Sequence, residues 1–299
     1  MPDSIHIALT FDDNFWAPAV VAIRSTCLAT TRRADLIFHL VHRGLTAEHR
    51  ADLEAAAGQY GATLRHYPLE KNDFLSDRLA TLPKSQTPRW PEIVYARLFI
   101  HLALPPEVRR IVYIDADVYV RRPIEQLYEE DLEGRIFGAA DAAYHVEAQV
   151  DRANRLKLAL FDPGLPYFNS GVLLIDLEAW AKVDILSEFD ALLGGRIGDE
   201  AIMNGLMLDQ DVLNLVFRGR WKQLDYRWNF QNPVPAHEQL FPYIVHYCGE
   251  PKPWFLLSRL AFARRYRHCM TDELFYRYLR FRWRARLHKL LRRFELARR

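Results

Sequence analysis

Short apolar runs separated by polar turns organise the first third of the chain. Residues 5–11 (IHIALTF), 35–42 (DLIFHLVH) and 62–67 are brief and rich in β-branched or aromatic residues, which predicts three strands. Helical patterns lie between them. One starts near Pro18, whose fixed φ suits a first helical turn, and runs to Ala29. The next spans residues 46–60, with Thr46 placed to cap its start and Gly58 and Gly61 to end it. Strand, helix, strand, helix, strand at this spacing predicts βαβ units, a parallel sheet and an α/β fold.

The pattern then becomes less regular. Residues 72–91 are polar and carry Pro83, Pro88 and Pro91, so a mobile loop is expected. A helix is expected from Pro91-Glu92 through IVYARLFIHLAL. Residues 111–123 (IVYIDADVYVRRP) form an apolar strand that ends in acid at Asp115, with Asp117 two residues on and a second apolar run after it. Further on, the pattern predicts a short helix at 124–128, a strand at 135–140 ending at Asp141, and a strand at 171–176 entered through Asn169-Ser170. One helix over 178–193 closed by Gly194-Gly195, a helix at 209–217, a strand at 221–226 and an apolar stretch at 243–246 follow. Residues 272–297 read as a basic, aromatic-rich helix.

Composition adds three constraints. With 299 residues and 50% apolar content, the chain can form one large domain or two small ones. The net charge of +2 conceals an asymmetry: residues 258–299 hold 14 Lys and Arg against three acids, so this segment is +11 and the rest is −9. The small overall charge argues against nucleic acid as a partner. Cys27, Cys248 and Cys269 are odd in number and far apart, which suits a reducing compartment rather than a disulfide framework. The chain enters its first strand without a basic leader, so a cleaved signal peptide is not expected, and no apolar run reaches the ~18 residues of a spanning helix.

Candidate chemistry gathers at strand ends. Carboxylates at the end of a buried strand sit where open α/β sheets bind ligands, and Asp115 and Asp117 suit Mg²⁺ or Mn²⁺ held with a diphosphate. Solvated acids in a turn would give the same pattern. A second Asp-x-Asp, at Asp209–Asp211, also fits a helix start, where exposed N–H groups favour acids. Arg97 lies in an apolar run, either with its stem snorkelling to water or aimed at an anion. His246 ends an apolar stretch. Gly249 permits close backbone approach, and Lys252, between Pro251 and Pro253, is a cation on a stiffened backbone. There is no G-x-G-x-x-G, which excludes a dehydrogenase-type dinucleotide site.

Six motifs in order give these residues a common meaning: ALTFDDNF (8–15), YARL (95–98), YIDADVYV (113–120), YFNSGVLLID (167–176), DQDVLN (209–214) and HYCGEPKPW (246–254). Together they resemble glycosyltransferase family 8, the retaining nucleotide-sugar transferases, over residues 5–254. The resemblance implies a Rossmann-like GT-A fold with a mixed central sheet. It implies that Asp115, Asp117 and His246 bind Mn²⁺ (or Mg²⁺) bridging the phosphates of a UDP-sugar. Thr10, Asp12 and Asn14 would line the uridine pocket, and Gly249 and Lys252 would hold the diphosphate. Arg97, Asp141, Asn169, Asp209 and Gln210 would surround the sugar, with Asp209, Gln210 and Arg97 nearest the chemistry.

The expectation is therefore a catalytic domain over 1–257 and a basic helical extension over 258–299. The enzyme would move a hexose from UDP to lipopolysaccharide or another lipid-linked glycan. Its extension would rest on an anionic membrane surface at the cytoplasmic face of the inner membrane, with Phe275, Trp283 and Leu287 as anchors. Packing of that helix on the domain is the alternative for the tail. A glycogenin-like enzyme for a soluble acceptor and a sugar-nucleotide-binding module without turnover are the alternatives for function. Asp117→Asn is expected nearly to abolish transfer while leaving the fold intact.

Overall fold

The structure is a computed structural model that describes residues 4–80, 92–142, 160–162, 164–199, 202, 206 and 208–297. Strands β1 (Ile5–Asp12), β2 (Leu36–Arg43) and β3 (Thr63–Pro68) pair in parallel, with helices Trp16–Ala29 and Ala47–Gly58 as the connections. The middle residues of β1 are buried without alternation, as expected for a strand covered on both faces. Thr46 accepts from the His49 N–H and caps the second helix, as its position in the sequence predicts.

Strand β4 (Arg110–Ile114) pairs parallel to β1 on the side away from β2. The winding direction therefore reverses between β1 and β4, and a crevice opens at their carboxyl ends. After Ile114 the chain leaves this sheet. Strand β5 (Val118–Val120) joins a second, smaller sheet, so the two apolar runs around Asp115 and Asp117 belong to different sheets.

The main sheet continues with β6 (Phe137–Asp141), β7 (Phe168–Asp176) and β8 (Trp221–Leu224) in the order β3-β2-β1-β4-β7-β6-β8. Strand β7 runs antiparallel to both neighbours, which makes the sheet mixed. Strands β9 (Phe230–Gln231) and β10 (Ile244–His246) complete the small sheet with β5. One face of the main sheet packs on the helix Trp16–Ala29. The other is filled by aromatics, with Phe137 against Phe168, Trp180 and Phe217 at ring-centroid distances of 5.1, 5.4 and 5.2 Å.

Several expectations change. Residues 73–80 are helical, with Asn72 accepting from the Leu75 N–H at 2.9 Å, while the three prolines of the expected loop lie outside the described residues. The helix expected after Pro91 is a 3₁₀ stretch, Glu92–Phe99, with α-geometry only over Ile100–Ala103. The single helix expected over 178–193 is two, Leu177–Ala181 and Ile185–Leu192. Asp184 accepts from the Ser187 N–H and starts the second one, since an Asp side chain that can cap competes with continuing the helix.

The C-terminal segment changes most. A helix at Ala263–Met270 precedes the expected one at Asp272–Ala297. Phe262, Tyr266, Met270, Leu274, Phe275 and Tyr278 are buried in the same apolar cluster as Ile5 and Trp16. Tyr266 and Met270 lie four apart on the first of these helices and Leu274 and Tyr278 four apart on the second, so each helix turns its pair to one side. Arg277 fixes the helix further, pairing with Asp52 at 2.9 Å and Glu48 at 2.5 Å. Packing is thus continuous across 257/258, and Phe275, expected as a membrane anchor, is only 6% exposed. Trp283 and Leu287 are exposed.

Candidate functional site

The crevice between β1 and β4 leads into a cavity of about 420 Å³. Thr10, Asp12 and Asn14 reach it from the end of β1, Asp115 and Asp117 from the end of β4, and Gly249 and Lys252 from the loop after β10. Asp12 accepts from both the backbone N–H and the side-chain amide of Asn14, each at 3.0 Å, which holds this turn open-mouthed to the cavity. Thr10 Oγ1 lies 2.8 Å from the Tyr113 hydroxyl, which donates to Asp115 Oδ1 at 2.9 Å.

Sheet registers explain why the three candidate metal-binding side chains meet. In the small sheet His246 stands opposite Val118, and the Tyr247 N–H bonds the Asp117 carbonyl, so Asp117 and His246 are brought side by side. In the main sheet the Asp115 N–H bonds the Gly171 carbonyl at 2.8 Å. Donor atoms of Asp115, Asp117 and His246 lie within 4.8 Å of one another. A Cβ on Gly171 would stand 2.1 Å from His246 Cε1 and 2.7 Å from Asp115 Oδ2, so only glycine leaves room for the cluster.

The residues fit a divalent cation. Asn229 Nδ2 donates to Asn169 Oδ1 at 2.8 Å, so Asn229 Oδ1 is the acceptor for His246 Nδ1–H at 2.9 Å. That leaves the Nε2 lone pair of His246 facing the carboxylates of Asp117 (3.3 Å) and Asp115 (3.6 Å). Two carboxylates and an imidazole nitrogen converging in this way could hold Mn²⁺ or Mg²⁺. Asn229 is a residue that sequence reasoning missed, because an asparagine in a short 3₁₀ turn carries no motif.

Charge at the site is tightly interlocked. Lys252 is buried, with its ammonium 2.7 Å from Asp117 Oδ2 and donating to the Tyr247 carbonyl. Burial opposes ionisation of Asp117, yet the Lys252 ammonium beside it outweighs that and holds this carboxyl well below the usual range. Arg97 does not snorkel to water. It is buried beneath the cavity, with its guanidinium 2.9 Å from both Asp115 Oδ1 and Asp209 Oδ2 and over the Tyr113 ring at 4.8 Å. Burial works against its charge, and the two acids overcome that and push its pKa up. Asp209 shares this one cation with Asp115, so burial leaves its carboxyl raised.

Amides extend the network. Asn169 Nδ2 donates to Gln210 Oε1 at 2.8 Å, and Gln210 Nε2 donates to the Tyr167 hydroxyl at 2.9 Å. Tyr167 in turn donates to Asp211, which is fully buried. A chain of hydrogen bonds thus runs from His246 through Asn229, Asn169 and Gln210 to Asp211, the second acid of the second Asp-x-Asp. Asp141 stands apart at the end of β6, half-buried. Its described partner is Gln223 at 3.4 Å, and its Oδ1 has no partner among the described residues.

With this geometry the relatives of the chain can be placed. The lipopolysaccharide 1,3-galactosyltransferase of Salmonella typhimurium is 30% identical over 84% of this chain and 73% of its own length. The lipopolysaccharide 1,2-glucosyltransferase of Escherichia coli is 26% identical over 89% of this chain and 78% of its own. Among solved structures, the galactosyltransferase LgtC in complex with donor and acceptor sugar analogues matches with a TM-score of 0.70 at 26% identity, covering 89% of this chain and 95% of that one. The family model of glycosyl transferase family 8 matches residues 6–257. The chain is a glycosyltransferase of the GT-A fold and belongs to glycosyl transferase family 8.

Proposed function

We propose that this glycosyltransferase is a retaining enzyme that moves a hexose, galactose or glucose, from a UDP-sugar to a lipopolysaccharide or other lipid-linked glycan acceptor. The observation that carries the donor half is the convergence of Asp115, Asp117 and His246 beside buried Lys252 at the mouth of the cavity. Asp115, Asp117 and His246 would hold Mn²⁺ or Mg²⁺, which when bound supplies positive charge to the departing diphosphate. Lys252 sits one contact from this ligand set, placed to meet a phosphate oxygen.

The donor's sugar–phosphate bond breaks and the new glycosidic bond forms on the same face of the sugar. Asp209 is chemically able to attack the anomeric carbon, but its Oδ2 is held by Arg97 and by the Ser170 hydroxyl at 3.0 Å. A carboxylate engaged in this way is a weak nucleophile. Gln210 is neutral, and its oxygen accepts from Asn169. Both facts favour front-face attack, in which the acceptor hydroxyl gives its proton to a phosphate oxygen of the leaving UDP. Asp209, Gln210 and Asn169 then orient the sugar, with Asp141 beyond them.

The acceptor half rests on the activities of the relatives and on the tail. Exposed Trp283 and Leu287 on a basic helix suit the anionic cytoplasmic face of the inner membrane. Among the described residues no helix is long and apolar enough to cross a membrane. A panel of UDP-sugars assayed for Mn²⁺-dependent UDP release, without and then with lipid-linked acceptor, tests the proposal. UDP release from UDP-galactose or UDP-glucose that disappears on chelation is the expected result. Activity with none of the UDP-sugars, or full activity in chelator, would overturn it.

A further inference from the structure

Resting on the UDP-donor reading above, we propose that Arg282 and Arg286, carried on the C-terminal helix, form a further wall of the donor site that recognises the diphosphate. Tyr278, Phe281, Arg282, Ala285 and Arg286 line the same cavity as Asp12, Asp117 and Lys252. Their spacing of three, four, seven and eight residues from Tyr278 puts them on one stripe of the helix. The stripe is fixed in place: the Tyr278 hydroxyl donates to the carbonyl of Asn14 at 2.8 Å, and the Tyr278 ring lies 6.1 Å from that of Trp254.

Arg282 is held by aromatic faces. Its guanidinium carbon lies 5.8 Å from the Trp254 ring, 5.1 Å from Phe255 and 5.8 Å from Tyr278. Among the described residues, neither Arg282 nor Arg286 forms an ion pair with a carboxylate. The other two cations lining the cavity do: Arg97 is paired with Asp115 and Asp209, and Lys252 with Asp117.

The charge balance gives these two arginines a purpose. Four acids line the cavity, Asp12, Asp115, Asp117 and Glu250, and Arg97 and Lys252 offset two of them. Without the helix the lining carries −2, so a divalent cation only cancels the lining and leaves the charge of a diphosphate unmatched. With Arg282 and Arg286 the lining is neutral before metal, and a divalent cation then matches the two negative charges of a nucleoside diphosphate sugar. Guanidinium groups without a carboxylate partner among the described residues, one of them packed against aromatic rings, are suited to phosphate oxygens. The helix thereby belongs to the donor site and not only to the surface beyond it.

Calorimetric titration of the full chain with UDP and with uridine, both in Mn²⁺, separates the possibilities. Arg282→Gln and Arg286→Gln are each expected to weaken UDP by about tenfold or more, the loss of one charge-assisted contact. Uridine, which lacks phosphates, should bind as it does to the wild type. Arg282→Lys should recover part of the UDP affinity, and Arg284→Gln, off the stripe, should change nothing. Unchanged UDP affinity in both glutamine variants would overturn the proposal. So would equal losses for UDP and uridine, which would mean that the arginines only shape the cavity. Arg286 makes no ring contact among the described residues, so its variant stays informative if Arg282→Gln folds poorly. A wild-type chain that binds no UDP would defeat the donor reading itself, which is a different result from a wild type that binds UDP and arginine variants that bind it equally well.

Discussion

At the scale of single residues, the site depends on neighbours that hold its ligands as much as on the ligands. Asp117 shows this. Its motif position predicts a metal ligand whose replacement spares the fold, but the structure adds Lys252, buried and paired with it. Asp117→Asn is therefore expected to abolish metal-dependent transfer and also to cost about 3 kcal/mol of stability, since the ammonium stays buried without its counter-charge. Adding Lys252→Met should restore the melting temperature but not Mn²⁺ binding. A single variant that melts like the wild type would show that Lys252 finds another partner. Asn229 is the converse case: it is buried behind His246, yet it sets which nitrogen of that ring is bare. Asn229→Ala should weaken Mn²⁺ by about 10- to 100-fold with little change in UDP-independent folding. Calorimetry with Mn²⁺ alone checks it, and undiminished affinity would remove Asn229 from the site. The candidate ligands could be named from the sequence because acid, histidine and lysine stand in ordered motifs, and the structure brings Asp115, Asp117 and His246 together. Asn229 and the ion pair of Asp117 with Lys252 were not, because they arise from the pairing of β10 with β9 on one side and β5 on the other.

At the scale of elements, the sequence was most legible where one element is one uninterrupted apolar run. Strands β1 and β2 and the capped helix between β2 and β3 follow their patterns closely. It was least legible where two local preferences compete, as at Asp184, and where an apolar run stays apolar while changing partners, as between β4 and β5. The edge of the main sheet hides a further feature that no motif announces. His6, His39 and Tyr67 bond one another across β1, β2 and β3 at 2.9 Å each, and His42 meets His66 at 3.2 Å. Burial lowers His39 to about 3 and His42 to about 4, with His6 and Arg65 adding repulsion on His39, and His66 on His42. These histidines stay neutral in the folded chain while an unfolded chain protonates them below about pH 6.5. Stability is thus full above pH 6.5 and falls towards pH 4 by up to about 1.4 kcal/mol per pH unit for each histidine. Urea unfolding at several pH values should show this slope, reduced in His39→Gln. A flat profile from pH 7 to 5 would mean that the pairs already accept a proton in the fold.

At the scale of the whole molecule, the question is where the catalytic body ends. Charge alone suggests a division at residue 258, because +11 and −9 segments meet there. Packing suggests another. Phe262, Tyr266, Met270, Leu274, Phe275 and Tyr278 are buried, and at about 1.5–3 kcal/mol each they contribute roughly 9–18 kcal/mol, comparable to the entire stability of an ordinary domain. A chain ending at 258 is therefore expected to be unfolded by circular dichroism and inactive. A chain ending at Leu287 keeps those contacts together with Arg282 and Arg286, and should fold and bind UDP as the full chain does. It loses Lys289, Arg292, Arg293, Arg298 and Arg299, each worth roughly 1 kcal/mol against an anionic bilayer at low salt. Its affinity for anionic vesicles should drop well over tenfold, and what remains should come from Trp283, Leu287 and the arginines beside them. High salt should weaken the full chain in the same direction. A 258-residue chain that melts like the wild type would return the helix to the status of an appendage. Unchanged vesicle binding after truncation at 287, or none by the full chain at low salt, would leave the helix with its cavity-facing stripe as its only function.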